Sequence, residues 1–239
     1  MSLLTVKKLS KNINNRNIIK DIDFSINSSE IVGLLGPNGA GKTTTFYSIA
    51  GLMQPSYGKV FLNGKNITKM PMHLRSKYGI SYLPQESSIF LNLTVEDNIL
   101  GLAQLSMIHG DALKDKYNKI IKDFNLNNIL SQKGRELSGG QRRRVEIARC
   151  LVTMPQIILM DEPFAGIDPI AVEEIKKILN QLVSEGISIL ITDHNVSAAL
   201  EICSRAIILS EGSILAEGSP DELIKNAKVR EVYLGEMYS

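Results

Sequence analysis

The stretch from Gly36 to Thr43 reads GPNGAGKT, a glycine-rich pattern that ends in a lysine and a threonine. Its glycines permit positive φ, which lets successive backbone N–H groups converge on an anion. A predicted strand precedes the loop and a predicted helix follows it, so the helix dipole and the charge of Lys42 both favour bound phosphates. The hydroxyl of Thr43 is expected to bind Mg²⁺. The predicted nucleotide contacts are Gly36, Pro37, Asn38, Gly39, Ala40, Gly41, Lys42, Thr43 and Thr44.

Four apolar residues followed by two acids, in the stretch IILMDE, predict the second half of the same site. Such a run fits a buried strand whose last residue emerges at the carboxyl edge of a parallel sheet, where ligands bind in folds of this kind. Asp161 is expected to reach Mg²⁺ directly or through a water. Glu162 is the candidate to polarise an attacking water, although taken alone it would be read as an exposed loop acid.

A serine, two glycines and a glutamine open another predicted helix, in the stretch LSGGQ. A helix N-terminus with an exposed hydroxyl and small neighbours is a second anion-binding site. An ordinary N-cap would explain Ser138, but it gives no reason for Gly139, Gly140 and Gln141. The chain therefore has two helix ends that are suited to phosphate.

The elements that must position these residues alternate between strands and helices. Residues 1–35 predict strands, residues 41–51 a helix, and short strands follow near 59–64 and 79–84, with Asn63-Gly64 as a turn. After residue 150 the pattern is strand, helix, strand, short helix and two more strands. This alternation predicts an α/β fold with a mainly parallel sheet, to which an antiparallel N-terminal β portion and a helical subdomain are added.

Residues 87–150 are predicted as that helical subdomain, which carries LSGGQ, and residues 1–86 and 151–239 as the nucleotide-binding core of a single domain. One helix there has a single apolar face, formed by Leu113, Tyr117, Ile120, Ile121 and Phe124. Its lysines alternate with aspartates, which favours a solvated face over a nucleic-acid patch. In the helix after LSGGQ, the expected buried stripe is Val145, Ala148 and Val152. Three arginines there are expected to face out or pair locally: Arg142, Arg143 and Arg144.

Composition sets few limits on function. The chain has 239 residues with 44% hydrophobic and 22% charged residues, which is ordinary for a globular protein, and its net charge of +2 favours no class of partner. Its longest uncharged stretch has 16 residues and is partly polar, and the N-terminus lacks the apolar core of a secretory signal. Cys150 and Cys203 have no metal-ligand spacing and are expected to be reduced thiols of a cytosolic protein.

With these motifs the chain resembles the ATP-binding cassette (ABC) ATPase family along nearly its whole length. The resemblance implies ATP and Mg²⁺ as ligands, Gln85 in YLPQE as a Mg²⁺ ligand, and His194 in LITDHN as a contact to the γ-phosphate. It also implies a head-to-tail dimer in which each LSGGQ closes the nucleotide site of the other copy, with Asp168 reaching across. His73 and His109 have no such placement and are expected to be structural.

One position departs from the family pattern. The family usually places an aromatic ring about thirty residues before the lysine to stack on adenine, and the equivalent here is Ile13. An aliphatic side chain can cover the base but does not contribute aromatic stacking. The departure concerns adenine selectivity and leaves the predicted phosphate site unaffected.

The residues around these motifs, above all FAGIDPI, QESSIF and ITDHNV, resemble the branch of the family that exports lipopolysaccharide. That branch implies two transmembrane permease subunits as partners, and a position on the cytoplasmic face of the inner membrane. Ile89, Phe90 and Leu91 follow Gln85 and are a candidate groove wall for a coupling helix of a permease. A core position for Phe90 is an equal alternative.

Three other functions fit parts of the sequence. The ATPase of a branched-chain amino-acid importer shares the compact single-cassette layout and the YLGE ending. A cassette protein of translation or DNA maintenance would need two cassettes or a long coiled-coil insertion, which this chain lacks. A regulatory module without turnover would not need Glu162 and His194 together.

Overall fold

The computed structural model describes residues 2–104 and 110–235, so His109, which was predicted to be structural, and Glu236, the last residue of the YLGE ending, lie outside the described residues. The strands are β1 (Ser2–Ile13), β2 (Arg16–Asn27), β3 (Ile31–Leu35), β4 (Tyr57–Leu62), β5 (Lys65–Asn66), β6 (Ile80–Leu83), β7 (Ile157–Asp161), β8 (Ser188–Thr192), β9 (Arg205–Ser210) and β10 (Ser213–Gly218). The helices are α1 (Lys42–Ala50), α2 (Met72–Lys77), α3 (Val95–Gln104), α4 (Asp111–Asp123), α5 (Gly139–Leu151), α6 (Pro169–Ser184), α7 (Val196–Ile202), α8 (Pro220–Lys225) and α9 (Ala227–Val229). The predicted α/β class is confirmed.

The N-terminal sheet is antiparallel, with the strand order β2-β1-β4-β5 in the described part of the chain. Along β1, Leu4, Val6 and Leu9 are fully buried, whereas Lys7 and Lys8 are exposed at a point where the pairing register shifts. This pattern is typical of a sheet that packs one face on a core and leaves the other in solvent. The buried face contacts α1 through Phe46 and Ile49, so the sheet supports the helix that follows the glycine-rich loop.

The larger sheet has the order β10-β9-β3-β8-β7-β6, and all its neighbouring pairs are parallel except β10 with β9. Every residue of β3, β7 and β8 is buried, because helices cover one face of the sheet and α1 together with the N-terminal sheet covers the other. The loops that follow β3, β6, β7 and β8 therefore leave from one edge. These four loops carry most of the predicted chemistry.

The helices α3 and α4 lie within residues 87–150, α5 ends one residue beyond this range at Leu151, and the three pack on one another and on the core sheet. The predicted apolar face of α4 is confirmed, since Ile120, Ile121 and Phe124 are buried and Leu113 and Tyr117 pack against the same cluster. The predicted stripe of α5 is also buried. The assignment of residues 87–150 as a separate subdomain stays a prediction.

Arg143 of α5 does not face outward but pairs locally, which is one of the two alternatives predicted for it. Its side chain is 7% exposed and forms a buried ion pair with Glu146 at 3.0 Å. Its guanidinium also donates to the carbonyl oxygens of Pro84, Asp161 and Pro163. A buried guanidinium needs such acceptors, and here they come from the loops after β6 and β7.

Sequence patterns did not predict three short helices, namely α2, α8 and α9. Each has six residues or fewer, which is too short for a helical hydrophobic period to be recognised. Within residues 2–104 and 110–235, no helix combines the length and the apolar character needed to cross a membrane.

Candidate nucleotide-binding site

The loop between β3 and α1 forms one wall of a cleft of about 210 Å³ at the carboxyl edge of the large sheet. Gly36, Gly39 and Gly41 all have positive φ. A Cβ on Gly36 would lie 2.1 Å from the carbonyl oxygen of Leu209, and the cleft therefore requires glycine there for close packing as well as for its backbone angle. The lining residues are Ile18, Asn38, Gly39, Ala40, Gly41, Lys42, Thr43, Thr44, Asp161, Glu162, Thr192 and His194.

Lys42 is held against the loop that it follows. Its Nζ donates to the carbonyl oxygens of Gly36 at 2.7 Å and Pro37 at 3.0 Å. Burial lowers the pKa of Lys42, and the carboxylates of Glu162 and Asp161 oppose that change. The ammonium group thus closes the loop around the cleft and gives it a positive charge.

Asp161 is the last residue of β7 and lines the cleft at the end of that strand. It is 5% exposed, and the hydroxyl of Tyr82 donates to its Oδ2 at 3.4 Å. Burial raises the pKa of Asp161, and the neighbouring charge of Glu162 raises it further. A cation in the cleft would relieve this repulsion. The carboxylate of Asp161 and the exposed hydroxyl of Thr43 are oxygen donors of the type that Mg²⁺ prefers, so the residues present fit that ion.

Two predicted residues from other loops, Gln85 and His194, contact Glu162. His194 donates from Nε2 to Oε1 of Glu162 at 2.7 Å, and Gln85 donates from Nε2 to Oε2 at 2.8 Å. Glu162 has a φ of 47°, an uncommon angle for a residue with a side chain, and its N–H donates to the carbonyl of Thr192. These contacts were not predicted from the sequence. Glu162 and His194 line the cleft, and Gln85 joins them from the loop after β6.

Sequence reasoning missed Asp193, the residue before His194. It is 2% exposed, and its carboxylate accepts from the backbone N–H of Asn195 at 2.7 Å and of Phe164 at 3.0 Å. Burial raises the pKa of Asp193, while the two hydrogen bonds lower it. An acid directly after a buried strand is the same signal that identified Asp161, and it could have been applied here.

The LSGGQ segment opens α5 with a reciprocal cap. Gln141 N–H donates to the Ser138 hydroxyl at 3.2 Å, and Ser138 N–H donates to the Gln141 side-chain oxygen at 2.9 Å. A Cβ on Gly140 would lie 2.6 Å from that of Ala171, so close helix packing explains this glycine. The sequence analysis had expected capping to explain Ser138 alone, but it also explains Gln141. Gly139 has no such constraint in the described residues.

The cleft of this chain does not include the LSGGQ segment, since none of residues 137–141 is among its described lining residues. Asp168 likewise acts within its own loop, where it caps α6 by accepting from the N–H of Ala171 at 3.0 Å. Ile13 lies 38% exposed at the end of β1, and Ile18 rather than Ile13 lines the cleft. The roles predicted for these residues toward a second copy and toward adenine stay predictions.

The segment after Gln85 divides into a buried and an exposed part. Ile89 is 6% exposed and belongs to the core, whereas Phe90 is 57% and Leu91 48% exposed. The alternative of a core position for Phe90 is therefore wrong. Asn98 fixes the backbone of Phe90 by accepting from its N–H at 2.8 Å and donating to its carbonyl at 3.0 Å. The Arg149 guanidinium lies 5.2 Å from the ring centre.

The fold and the cleft define a P-loop nucleotide-binding protein. A family model for the ABC transporter matches residues 19–165, and a model for a branched-chain amino acid ATP-binding cassette transporter matches residues 213–239. The lipopolysaccharide export system ATP-binding protein LptB of Haemophilus influenzae is 47% identical over 239 residues, which cover 100% of this chain and 99% of the relative. LptB of Escherichia coli is 46% identical over 237 residues, with coverage of 99% and 98%.

Solved structures give the same result. The ADP conformation of an ATP-binding cassette of an ABC transporter superposes with a TM-score of 0.90 at 28% identity, covering 99% of this chain and 100% of that one. The dimeric structure of a post-hydrolysis state of another cassette, bound to ADP and Pi, has a TM-score of 0.78 at 26% identity and covers 91% and 98%. This chain belongs to the ABC transporter ATP-binding family. It is an ATPase whose hydrolysis of ATP is coupled to transport.

Proposed function

We propose that this chain is the ATP-hydrolysing subunit of an ABC transporter that exports lipopolysaccharide from the inner membrane. The observation that carries this proposal is the 46–47% identity to lipopolysaccharide export ATPases along the whole chain. The cluster of Gln85, Glu162 and His194 supports it, because it gives the cleft the groups that hydrolysis needs.

In this proposal the glycine-rich loop and Lys42 bind the phosphates of ATP. Mg²⁺ would be held by Thr43, Asp161 and Gln85, whose side chains offer hydroxyl, carboxylate and amide oxygens. The ion supplies positive charge that neutralises the charge developing on the phosphate oxygens. Gln85 contacts Glu162 in this structure, so its change of partner on loading would link the loop after β6 to the nucleotide.

Glu162 is the proposed general base. One carboxylate oxygen polarises the attacking water, while His194 orients the group and contacts the terminal phosphate. The His194 side chain is 57% exposed, so it can leave Glu162 when a phosphate enters the cleft. Replacement of one hydrogen-bond partner by another is thus the proposed first response of this site to ATP.

The proposed assembly has two copies of the chain arranged head to tail. Ser138, Gly139, Gly140 and Gln141 of each copy would complete the cleft of the other, and Asp168 would cross the interface. This proposal gives a function to the capped N-terminus of α5, which does not line the cleft of its own chain in the described residues. The ATP-bound dimer would sit against two permease subunits on the cytoplasmic face of the inner membrane.

A branched-chain amino-acid importer ATPase is the alternative function. A specific observation favours it, namely the match of that family model to residues 213–239. That match covers only the C-terminal part, whereas the identity to the export ATPases covers every element of the site. The export function is therefore the better supported of the two.

The surface of Phe90 and Leu91 is the proposed contact to the permeases. We expect Phe90→Ala to leave the ATPase activity of the isolated chain nearly intact, because Asn98 holds this segment through backbone atoms that the substitution retains. The same variant is expected to weaken co-purification with the permeases, since an exposed aromatic side chain that becomes buried on binding contributes strongly to an interface. The measurement is the ratio of permease to ATPase after affinity purification.

A matched control for this variant is Tyr57→Ala, which removes another exposed aromatic ring, 70% exposed, on β4. It should co-purify with the permeases as the wild type does. Normal co-purification of the Phe90 variant would remove Phe90 from the proposed contact.

The transport function can be tested by affinity purification from gently solubilised native membranes, followed by reconstitution of the complex into liposomes. We expect two related membrane proteins with a periplasmic β-rich domain, and release of lipopolysaccharide that depends on ATP and is lost with Glu162→Gln. Importer permeases and ATP-dependent uptake of branched-chain amino acids would instead select the alternative. A complex that hydrolyses ATP but moves neither would reject both.

A further inference from the structure

Beyond the nucleotide-contacting residues, we propose that Asp193 is a positioning residue for hydrolysis, which ties the loop after Glu162 to the loop that carries His194. The inference rests on the proposed roles of Glu162 and His194 and extends them to a residue with no predicted contact to nucleotide. It is based on the hydrogen bonds of one buried carboxylate.

The two loops leave the sheet side by side. β7 and β8 are paired up to Asp161 and Thr192, and beyond that pair the only ladder-like bond among the described residues runs from the N–H of Glu162 to the carbonyl of Thr192. From there the chains separate, and Asp193 connects them. Its Oδ2 accepts from Phe164 N–H, and its Oδ1 accepts from Asn195 N–H. The carboxylate thus binds Phe164, which lies two positions after Glu162, and Asn195, which directly follows His194.

This connection has a consequence for Glu162. A glutamate at φ 47° is strained, and such a conformation persists only where its surroundings hold it. Two hydrogen bonds hold this segment. The N–H of Glu162 donates to the carbonyl of Thr192, and two residues later the N–H of Phe164 donates to Asp193. The 2.7 Å contact between Glu162 and His194 joins side chains from the two loops that Asp193 connects. Asp193 therefore sets the distance between the base and its partner.

The choice of aspartate is chemically specific at this position. Both carboxylate oxygens accept a hydrogen bond from the backbone, and asparagine would present an NH₂ group to one of those N–H donors. At 2% exposure, water cannot replace the lost acceptor without a shift of the loop. Asp193→Asn therefore preserves size while it breaks one of the two ties.

The test is steady-state ATPase kinetics of the full-length chain with Asp193→Asn. We expect kcat to fall about 10-fold or more, because small misplacements of a catalytic group cost that much, while KM for ATP stays near the wild-type value. In the described residues, Asp193 bonds to Phe164 and Asn195 and Lys42 bonds to its own loop, so the phosphate-binding loop should be unaffected. Rates are expressed per mole of chain that binds a fluorescent ATP analogue, so that misfolded protein does not count.

Ser188→Ala provides the matched control at the opposite end of the same strand. Ser188 is fully buried, accepts from Ser29 N–H and donates to the Asn27 carbonyl, and so joins β8 to a loop far from the cleft. Its loss should lower the melting temperature but leave kcat per binding-competent chain unchanged. If both variants lower kcat equally, or if Asp193→Asn retains wild-type kcat, the positioning role is excluded.

Two further outcomes are separable. If Asp193→Asn yields no folded protein, Asp193→Glu takes its place, since it keeps the charge but displaces both oxygens, and the same loss of kcat at unchanged KM is expected. If the wild type itself does not hydrolyse ATP, or Glu162→Gln does not slow it, the proposed function fails and not merely the role of Asp193.

Discussion

Glu162→Gln is expected to lower kcat for ATP hydrolysis by about 100-fold or more, the usual contribution of a positioned general base, while ATP still binds. Glutamine has the same shape but cannot accept the proton of the attacking water. Its neutral side chain also removes the like charge that raises the pKa of Asp161, so the loaded cleft loses a source of repulsion. We therefore expect the variant to accumulate as an ATP-bound dimer.

Size-exclusion chromatography with ATP and Mg²⁺, run beside a phosphate-release assay, measures both effects. The matched control is Glu211→Gln, since Glu211 is another glutamate with a φ of 47° but lies exposed in the turn between β9 and β10. It should hydrolyse ATP at the wild-type rate and elute as the wild type does. A Glu162 variant that remains monomeric with ATP, or continues to turn over, contradicts the assigned role.

The sequence predicted the parts of this site that depend on local patterns. Glycines, a lysine and a following helix define the phosphate loop within a few residues, and a buried strand ending in acid places Asp161. The alternation of strands and helices along the chain also predicted the mainly parallel sheet correctly. These signals depend on local residue patterns and on their order along the chain.

The parts that were missed or misjudged depend on tertiary contacts between distant segments. The local pairing predicted for Arg143 is confirmed by its ion pair with Glu146, but the carbonyl acceptors that the loops after β6 and β7 supply to its buried guanidinium were not predicted. Asp193 gains its role only where the loop from β7 passes beside it. No window along the chain contains both partners of these hydrogen bonds. Propensity and periodicity therefore identify the elements but not the side chains that join them.

Arg75 shows the same dependence on distant partners, and its replacement has the largest expected effect on folding. The side chain is fully buried. Nη1 donates to the carbonyls of Ser48 and Ile49, Nε to that of Met70 at 2.8 Å, and Nη2 to that of Thr68 at 2.8 Å. The guanidinium thus satisfies carbonyls at the C-terminal turn of α1, where a positive charge is also favoured by the helix dipole.

Arg75→Met is expected to lower the free energy of unfolding by about 3 kcal/mol or more, because several buried carbonyls lose their donors at about 1–3 kcal/mol each, while relief of the buried charge offsets part of the cost. Burial lowers the pKa of Arg75 to about 10, so the group is still charged at neutral pH and the bonds are charge-assisted. Arg75→Lys should recover little of this free energy, since a single ammonium lacks the planar fork that reaches both the carbonyls of α1 and those of Thr68 and Met70.

Urea denaturation of the full-length chain measures this effect, with Lys77→Met as the control. Lys77 is exposed on the same short helix, α2, so its substitution should change the free energy of unfolding by no more than about 0.5 kcal/mol. Because α1 begins at Lys42, loss of the cap at its other end is also expected to weaken ATP binding before the chain unfolds. An Arg75→Met midpoint equal to that of the wild type would mean that water replaces the guanidinium, and that the C-terminal turn of α1 does not need this side chain.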